Sequence, residues 1–501
     1  MKLSLIFNSF QYKLHEENLR VVQKYFGLFP PLSLAWVAAI AERHGHQVQL
    51  IDARTLGLTP DEVLRRVRQF QPDLLGYMMT SYMFRETLGW IETIRRGYDA
   101  PVVVGGYNLR VYPQESVMPA AIDFGCVNSA LHTLPALMAA LGGARNFAAV
   151  PGLVYKDGGA VRQTAAPPPE SFDDYPNPAR HLLPNELYAE FPTERRNFTV
   201  MVTSKGCPHE CVFCEAGRTA YNARRPATVL VEIDQCYREF GIREIDMFDY
   251  EFLADRQRSE AILDGLIERG YDLRWSCRTR IDSVDGDLLQ KMRRAGCSRI
   301  YYGIESASQP TLDALHKRVR LDQVERTIAM TRAQGIKTLG FFLLGVPGET
   351  RASARATVRY ACRLGLDYAQ FSKLTAKPLT GYWRDMVQQT GRDYWREYIL
   401  GTVGDMVLPR PWMAMSNEEL DRETKRAYLR FYCRPLFLLR ALLQVRSWLE
   451  LLRKACALID MVAGQEAVSR LDRGFRAFNE NAYRRLRRRP APGAATAPTS
   501  R

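Results

Sequence analysis

The chain has 501 residues and a formal net charge of +14, and 46% of its residues are hydrophobic and 25% charged. This length and globular composition predict two or three domains. The ten cysteines are too few for a disulfide scaffold. Residues 1–7 have the pattern of a first strand rather than of a secretory signal, and no apolar run is long enough to predict a membrane span. We therefore expect a cytoplasmic protein.

The positive charge is concentrated at the C-terminal end. Residues 421–501 contain 18 Lys and Arg against 7 Asp and Glu, a balance of +11. Within them, residues 427–462 alternate arginines with leucines and aromatics, which is typical of a basic amphipathic helix. Such a helix either contacts an anionic membrane surface peripherally or packs its apolar face on the protein. The basic run at 484–489 lacks an accompanying RNA-binding module, so no nucleic-acid partner is predicted.

Residues 1–145 alternate apolar strand patterns with amphipathic helix patterns. This alternation predicts a doubly wound parallel sheet, whose ligands bind at the carboxyl ends of its strands. Thr80-Ser81 and Gly105-Gly106 stand at two such ends. The predicted strands are 3–7, 47–52, 74–78 and 101–106, and the predicted helices are 31–41, 61–70 and 87–96.

Three closely spaced cysteines provide the strongest chemical signal. Cys207, Cys211 and Cys214 have the spacing Cys-x₃-Cys-x₂-Cys and follow a strand-like run. Three thiolates can hold three irons of a 4Fe-4S cluster and leave the fourth iron open for a small molecule. Structural zinc with His209 as a fourth ligand is the alternative, although the short spacing makes this histidine an awkward partner.

This cysteine segment closely resembles that of the radical S-adenosyl-L-methionine (SAM) enzymes, and Phe213 stands where the family usually has an aromatic residue. The resemblance implies that the open iron chelates the amino and carboxylate groups of SAM. It also implies that the reduced cluster cleaves SAM to a 5′-deoxyadenosyl radical. The electron would come from an external donor, a flavodoxin or a ferredoxin.

The resemblance extends through a βα region at 196–385. Its strand-like runs are 198–203, 244–248, 273–277, 299–304, 337–344 and 368–372. The resemblance implies that these six strands form a partial (βα) barrel, with active residues at the strands' carboxyl ends. The domain organisation predicted from the whole chain is 1–145, a linker with a small hairpin at 146–195, the barrel at 196–385, a helical region at 386–483 and a disordered tail at 484–501.

Polar residues at the predicted strand ends are candidates for holding SAM. Asp249 and Glu251 resemble the family position beside the SAM amino group. Arg278 and Arg280 follow another strand and could grip a carboxylate, because guanidinium binds carboxylates bidentately.

Two further elements match the family in the expected order. Glu305 matches the position near the SAM ribose, and the turn at residues 345–349 matches the element near the adenine. Each of these residues, taken alone, could instead be a surface ion pair or a turn residue.

The N-terminal segment resembles the cobalamin-binding domain that precedes the radical SAM core in a large subfamily. The resemblance rests on residues 31–35, 44–48, 80–81 and 104–106, and it implies that Thr80, Ser81, Gly105 and Gly106 contact cobalamin. No Asp-x-His-x-x-Gly motif supplies an axial histidine. Residues 127–132 depart from the Arg-Gly-Glu-Gly-Glu-like turn of relatives. A flavodoxin-like docking module without corrinoid is the alternative.

Together these resemblances are to the group containing the anaerobic magnesium-protoporphyrin monomethyl ester cyclase and related methyltransferases. They imply hydrogen abstraction from an unactivated carbon, followed by methyl transfer from methylcobalamin to an apolar, lipophilic or tetrapyrrole-like small molecule held between the domains. The alternatives are an oxidative cyclase or other rearrangement, a tRNA methylthiotransferase and a non-catalytic sensor. The methylthiotransferase is disfavoured because neither a nucleic-acid-binding C-terminal domain nor a second cluster motif is apparent.

Overall fold

The computed structural model describes residues 1–10, 27–190, 193–195, 197–404, 408–435 and 437–439. The chain divides into two units, Met1–Thr424 and Lys425–Arg501. Most of the predicted basic amphipathic region and the whole predicted tail lie outside the described residues. Among the described helices, none has the length and hydropathy needed to cross a membrane.

The first sheet has seven strands in the order β3-β1-β4-β5-β6-β7-β8. Strands β1 and β3 to β6 are parallel, whereas β7 and β8 join the edge as antiparallel strands. This confirms the predicted doubly wound sheet. The strands of this part of the chain are β1 Lys2–Phe7, β2 Gly27–Leu28, β3 Gln47–Asp52, β4 Leu74–Met78, β5 Val102–Gly105, β6 Phe124–Cys126, β7 Leu153–Asp157 and β8 Ala160–Gln163, and its helices are α1 Leu32–Arg43, α2 Pro60–Phe70, α3 Phe84–Gly97, α4 Tyr107–Val111, α5 Pro113–Val117 and α6 Ala130–Gly142.

The two faces of this sheet bury separate apolar layers, because successive side chains of a strand point to opposite faces. Leu5 of β1 belongs to the layer that packs against α1 and α6. Its neighbour Ile6 belongs to the layer that packs against α2 and α3. Strands buried on both faces explain the nearly continuous apolar runs in the sequence.

Helix α2 shows how local sequence sets an element's bounds. The Thr59 side chain accepts from the Glu62 N–H while the Glu62 carboxylate accepts from the Thr59 N–H, which completes a capping box. Pro60 fits the first helical position because its missing N–H has no intrahelical partner there. Val63 and Val67 form the buried stripe.

The hairpin predicted within the linker is present, but it is not a separate element. Strands β7 and β8 flank Gly158 and Gly159, and β7 pairs with β6 of the first sheet. The hairpin therefore extends the first sheet by two antiparallel strands. Short 3₁₀ turns lie between the main elements of both sheets: Ser81–Met83, Phe147–Ala149, Phe172–Asp174, Arg180–Leu182, Asn185–Leu187 and Ile281–Ser283. The short strand β9, Ala189–Glu190, pairs with β2.

The second sheet contains the six predicted strands in sequence order, all parallel, and curls into a partial barrel. A separate hairpin of β11 and β12 carries the cysteine segment. The strands are β10 Phe198–Met201, β11 Ser204–Cys207, β12 Thr219–Ala223, β13 Glu244–Met247, β14 Arg274–Arg280, β15 Cys297–Glu305, β16 Lys337–Leu344 and β17 Tyr368–Lys373. The helices are α7 Pro226–Arg238, α8 Arg256–Arg269, α9 Gly286–Arg294, α10 Gln309–Ala314, α11 Leu321–Ala333 and α12 Arg351–Arg363.

Three described helices follow the barrel, and one of them is buried against the first sheet. They are α13 Gly381–Thr390, α14 Tyr394–Leu400 and α15 Asn417–Tyr432. Trp395, Tyr398 and Ile399 of α14 are buried in the same layer as Ile6. The Tyr112 hydroxyl donates to the Asp393 carboxylate at 2.9 Å, next to α14. Helix α14 is therefore part of the core of the first sheet.

Candidate functional site

The cysteine segment is held by the hairpin of β11 and β12, whose strands pair from Ser204 opposite Ala223 to Cys207 opposite Thr219. Gly206 has φ +76°, and a Cβ there would clash with the Ala220 carbonyl oxygen. Only glycine fits this close approach. The hairpin thus fixes both ends of the loop that carries the three predicted ligands.

The three thiols lie close enough to influence one another. Burial and the neighbouring Cys211 and Cys207 thiols together raise the pKa of Cys214 to about 11. The three thiols lie on one loop whose ends the hairpin holds, and each cysteine of an iron–sulfur cluster binds a different iron. This donor set fits a cluster, and zinc with His209 is the alternative.

Residues inside the loop attach it to the barrel. The Val212 N–H donates to the Leu315 carbonyl at 3.3 Å, and the Val212 carbonyl accepts from the Gly381 N–H at 2.9 Å. Phe213 packs with Val212 against an apolar cluster that includes Leu315 and Val346. Phe213, the residue at the predicted aromatic position, therefore packs the cysteine loop against the barrel.

The predicted carboxylates after β13 are buried and already hydrogen-bonded. Asp249 accepts from the Thr203 N–H at 2.6 Å, from the Thr203 hydroxyl and from the Ser204 N–H at 3.2 Å. Glu251 accepts from the Thr279 hydroxyl and from the Arg280 N–H at 2.8 Å. These carboxylates join the strand ends to one another. A SAM group that contacted them would have to share oxygens that already accept these hydrogen bonds.

The sequence analysis missed the two aromatic residues between and before these acids. Phe248 is 42% exposed and Tyr250 is 51% exposed. Alternation along an extended chain turns these side chains away from the face on which Asp249 and Glu251 are buried. The same alternation, applied to residues 248–251, would have indicated that the aromatics rather than the acids face the open end of the barrel.

The structure separates the two predicted arginines. Arg280 donates to Asp282 at 2.8 Å and to the Lys317 carbonyl at 2.7 Å. Burial lowers the pKa of Arg280, but Asp282 and the Cys211 thiolate outweigh this and raise it, so the guanidinium lies near the cysteine loop. Arg278 instead pairs with Asp246 at 3.0 Å inside the barrel. The assignment of both to SAM stays a prediction.

Glu305 ends β15 in a conformation that is rare for its residue type, with φ +68°. One of its carboxylate oxygens accepts from Lys317 Nζ at 3.0 Å, and both side chains are buried. Among the described residues, its second oxygen has no hydrogen-bond partner. The predicted ribose position therefore keeps one acceptor for a ligand.

The turn at residues 345–349 is closed on itself by Glu349, whose carboxylate accepts from the Gly345 N–H at 2.5 Å. Trp412 Nε1 donates to the Gly345 carbonyl at 3.0 Å. Gly345 and Gly348 both have positive φ, at +75° and +71°. The predicted adenine element is thus a rigid loop at the carboxyl end of β16.

The predicted cobalamin residues occupy the carboxyl edge of the first sheet. A Cβ on Gly105 would meet nothing within 4 Å, whereas one on Gly106 (φ +111°) would lie 2.8 Å from the Met79 carbonyl oxygen. The buried Thr80 hydroxyl has no partner in the described part of the chain. Ser81 differs, because its hydroxyl donates to Asn108 at 2.8 Å. The open space at Gly105 fits a bound cofactor.

The unusual turn after β6 is occupied by the linker. Asn128 has φ +68°, and Ser129 caps α6 by accepting from the Leu131 N–H at 3.0 Å. Ser129 also hydrogen-bonds Glu170 and, at 2.8 Å, the Tyr175 hydroxyl. The turn therefore binds protein groups of the linker.

The edge of the first sheet lies close to the cysteine loop. Tyr107, next to Gly106, donates its hydroxyl to the Pro378 carbonyl beyond β17 at 3.1 Å. Three residues further on, the Gly381 N–H donates to the Val212 carbonyl inside the cysteine loop at 2.9 Å. Burial raises the pKa of Tyr107. The edge that carries the predicted cobalamin residues is therefore joined to the cysteine loop through the segment after β17.

Two family profiles match successive parts of the chain. The B12 binding domain profile matches residues 19–138, and the radical SAM superfamily profile matches residues 201–361. The chain combines a B12-binding domain with a radical SAM domain. The radical SAM domain implies an iron–sulfur cluster and SAM, and the B12-binding domain implies cobalamin, as the sequence predicted.

Named relatives of this radical SAM enzyme include methyltransferases and cyclases. It is 28% identical, over 82% of its length and 89% of the relative's, to an uncharacterized methyltransferase of Pyrococcus horikoshii. It is 27% identical, over 73% of its length and 67% of the relative's, to an anaerobic magnesium-protoporphyrin IX monomethyl ester cyclase of Rubrivivax gelatinosus. These similarities confirm the predicted group.

A solved structure supports the fold. The chain is similar to the radical SAM methyltransferase TsrM of Kitasatospora setae, determined with cobalamin and a [4Fe-4S] cluster bound. The TM-score is 0.62 at 20% identity, over 77% of this chain and 75% of the other. The likeness confirms the predicted fold class, a doubly wound sheet followed by a partial barrel.

Proposed function

We propose that this radical SAM enzyme is a C-methyltransferase that abstracts hydrogen from an unactivated carbon of a small molecule and methylates that carbon. The observation that carries the proposal is the pair of contacts from the edge of the first sheet to the cysteine loop, Tyr107 with Pro378 and Gly381 with Val212. A substrate held there would lie beside both cofactors. The similarity to proteins named as methyltransferases also supports methyl transfer.

When bound, the cluster and SAM supply a hydrogen-abstracting radical, and cobalamin supplies the methyl group. Cys207, Cys211 and Cys214 would hold the cluster. Arg280 and the free oxygen of Glu305 are the groups best placed for SAM. Because the cluster must be reduced, we propose an external flavodoxin or ferredoxin as the electron donor.

The first sheet would hold cobalamin. Gly105 leaves space for the cofactor, Gly106 allows the chain to turn beneath it, and Thr80 lies on the segment that follows β4 at the same edge. Ser81 would act indirectly, because it holds Asn108. No axial histidine motif is present, so the corrinoid should bind in its base-off form.

For the substrate we propose a lipophilic or tetrapyrrole-like molecule. The exposed rings of Phe248 and Tyr250 at the barrel opening support this, since aromatic rings bind large apolar ligands well. An oxidative cyclase is the second candidate, favoured by the similarity to the protoporphyrin ester cyclase. The two reactions differ in product mass, because methylation adds one carbon.

The test is anaerobic incubation of reconstituted protein with SAM, a reductant, hydroxocobalamin and candidate lipids and tetrapyrroles, followed by mass spectrometry. A product with one added carbon supports methylation, and oxidation without added carbon supports the cyclase. Corrinoid binding is measured separately. Gly105→Phe should abolish it by filling the open space at this strand end, whereas Gly89→Ala, where the added Cβ meets nothing within 4 Å, should not. Wild-type protein that fails to bind micromolar hydroxocobalamin would favour the docking-module alternative.

A further inference from the structure

The inside of the partial barrel holds an arginine that is fixed on one side only. Arg278 Nη1 donates to both oxygens of Asp246 at 3.0 Å. Asp246 is fully buried and also accepts from the Ser276 hydroxyl at 2.9 Å. The carboxylate therefore sets the orientation of the guanidinium plane, because such pairs are directional.

Aromatic rings lie close to this guanidinium. Its central carbon is 3.8 Å from the ring centroid of Phe248 and 4.7 Å from that of Tyr301. Such contacts hold a cation by attraction to the aromatic faces. The two rings and Asp246 contact part of the guanidinium, and its remaining edge can bind another ligand.

That remaining edge has no protein partner in the described ranges. All of the hydrogen bonds of Arg278 within them leave from Nη1, to Asp246 and, at 3.4 Å, to the Met247 carbonyl. Nε and Nη2 together form a fork that matches the two oxygens of an oxyanion. The Arg278 side chain is 17% exposed and Phe248 is 42% exposed, so a ligand can reach the fork from the barrel opening.

The barrel below this arginine is closed to ligands by paired side chains. The Tyr301 hydroxyl donates to both oxygens of Glu190, at 2.9 and 3.0 Å, and Arg299 lies 3.6 Å from the same carboxylate. These groups are fully or almost fully buried. Arg278 is thus the deepest group of this network that still has free donors at the open side.

The position of Arg278 differs from that of the groups near the cysteines. Arg280 lies near Cys211, whereas Arg278 interacts with the carboxyls of Asp246 and Glu190 and lies against the Tyr301 ring. Two residues along a strand span about 6–7 Å. Arg278 therefore lies one step deeper in the barrel than the arginine beside the cluster loop.

We infer that Arg278 anchors an oxyanion group of the substrate, a carboxylate or a phosphonate, while the substrate's apolar body rests on Phe248 and Tyr250. This inference rests on the proposed function for the existence of a substrate in the barrel. It assigns Arg278 to the substrate instead of to SAM. The inference also restricts the proposed substrates to apolar molecules that carry an acidic group.

The test measures binding to reconstituted holoprotein by calorimetry, with benzoate, phenylphosphonate and neutral benzamide as probes. Wild-type protein should bind at least one anion, and Arg278→Gln should weaken that binding at least tenfold without changing benzamide or SAM binding more than twofold. Whichever anion binds more tightly identifies the acidic group. Arg278→Lys should bind more weakly than wild type, since ammonium cannot form the fork.

Removing Arg278 leaves Asp246 buried without its partner, so a second variant guards against misfolding. Asp246→Asn/Arg278→Gln removes both charges and should show the same selective loss of anion binding. Arg326→Gln on the exposed face of α11 is the matched control and should bind all probes as wild type does.

Equal anion binding in wild type and Arg278→Gln, or no anion binding by wild type, overturns the inference. Loss of SAM binding with anion binding unchanged would return Arg278 to SAM. None of these binding measurements depends on methyl transfer, so a failure of this inference can be distinguished from a failure of the proposed function.

Discussion

Lys317 Nζ lies 3.0 Å from Glu305 Oε1, and the two side chains are only 8% and 6% exposed. The pair stands directly over Gly303, where a Cβ would clash with Nζ and would lie 2.7 Å from the carboxylate oxygen. A buried ion pair of this kind depends on good geometry, because both charges have lost their hydration. Gly303 therefore makes room for the group that orients Glu305.

Gly303→Ala should displace this ion pair and weaken SAM binding about tenfold or more, since Glu305 would lose its fixed position. The measurement is SAM binding to reconstituted protein by equilibrium dialysis. Gly286→Ala is the matched control, because a Cβ there meets nothing within 4 Å. Unchanged SAM affinity in Gly303→Ala would show that Glu305 does not contribute to the SAM site.

Lys317→Met should destabilise the protein by roughly 3–5 kcal/mol, because it leaves a buried carboxylate without its partner. The double variant Lys317→Met/Glu305→Gln should recover much of that loss. Urea unfolding followed by circular dichroism measures the free energies. If the double variant is no more stable than the single one, the ion pair does not account for the effect of Lys317.

Glu349 should make stability depend on pH. Burial raises the pKa of Glu349 from 4.5 to about 7, despite hydrogen bonds from the turn that lower it. Between these values the folded protein keeps a proton that the unfolded chain has lost. Raising the pH through this window therefore lowers the free energy of unfolding, by about 3 kcal/mol in total.

Glu349→Gln should remove this contribution and reduce the slope of stability against pH between about 5 and 7, whereas Glu190 and Glu251, whose pKa burial also raises to about 7, still contribute to it. Urea unfolding at several pH values in that range measures the slope. Glu260→Gln should leave the slope unchanged, because Arg256 lowers the pKa of that exposed carboxyl. The same slope in Glu349→Gln and wild type would contradict the prediction.

Cys207→Ala/Cys211→Ala/Cys214→Ala should lose the metal centre. Reconstituted wild-type protein should contain about four irons and four sulfides per chain, and the triple variant close to none. Iron and sulfide analysis after desalting measures this. Cys236→Ala, a fully buried cysteine of α7, is the control and should keep the cluster. Zinc in wild type, or iron retained in the triple variant, would contradict the cluster assignment.

The basic C-terminal sequence should bind anionic vesicles in a salt-dependent manner, with roughly 1 kcal/mol per basic residue near the surface. Truncation before Arg484 removes the arginine run, and truncation before Tyr428 also removes the amphipathic region. Sedimentation with anionic and neutral vesicles at low salt measures binding. If wild type and both truncations sediment alike, the apolar face of the amphipathic region only packs against the protein.

Local patterns were sufficient to predict the sheets. All six barrel strands and the first four parallel strands of the first sheet were predicted from apolar runs, because buried parallel strands need few polar residues. Strand β6, which has only three residues, was not predicted. The barrel strands also run in sequence order. The cysteine spacing likewise specified the cluster loop, although it did not predict the β11–β12 hairpin that holds it.

Side-chain directions were harder to predict. Asp249 and Glu251 were selected for their charge, but backbone groups of neighbouring segments bind them. Arg278 and Arg280 were treated as a pair, yet different partners hold them at different depths. These partners come from segments distant in sequence, and only the folded barrel brings them together.

The burial of α14 beneath the first sheet has a consequence for synthesis. Strands β1 to β5 are complete when Gly105 has been made, but Trp395 follows roughly 290 residues later, or about 15–60 s at ~5–20 residues per second. During that interval, part of the apolar face that includes Ile6 lacks its cover. The nascent chain should therefore depend on chaperones until its last helices emerge, and shortened forms that end at the barrel should aggregate.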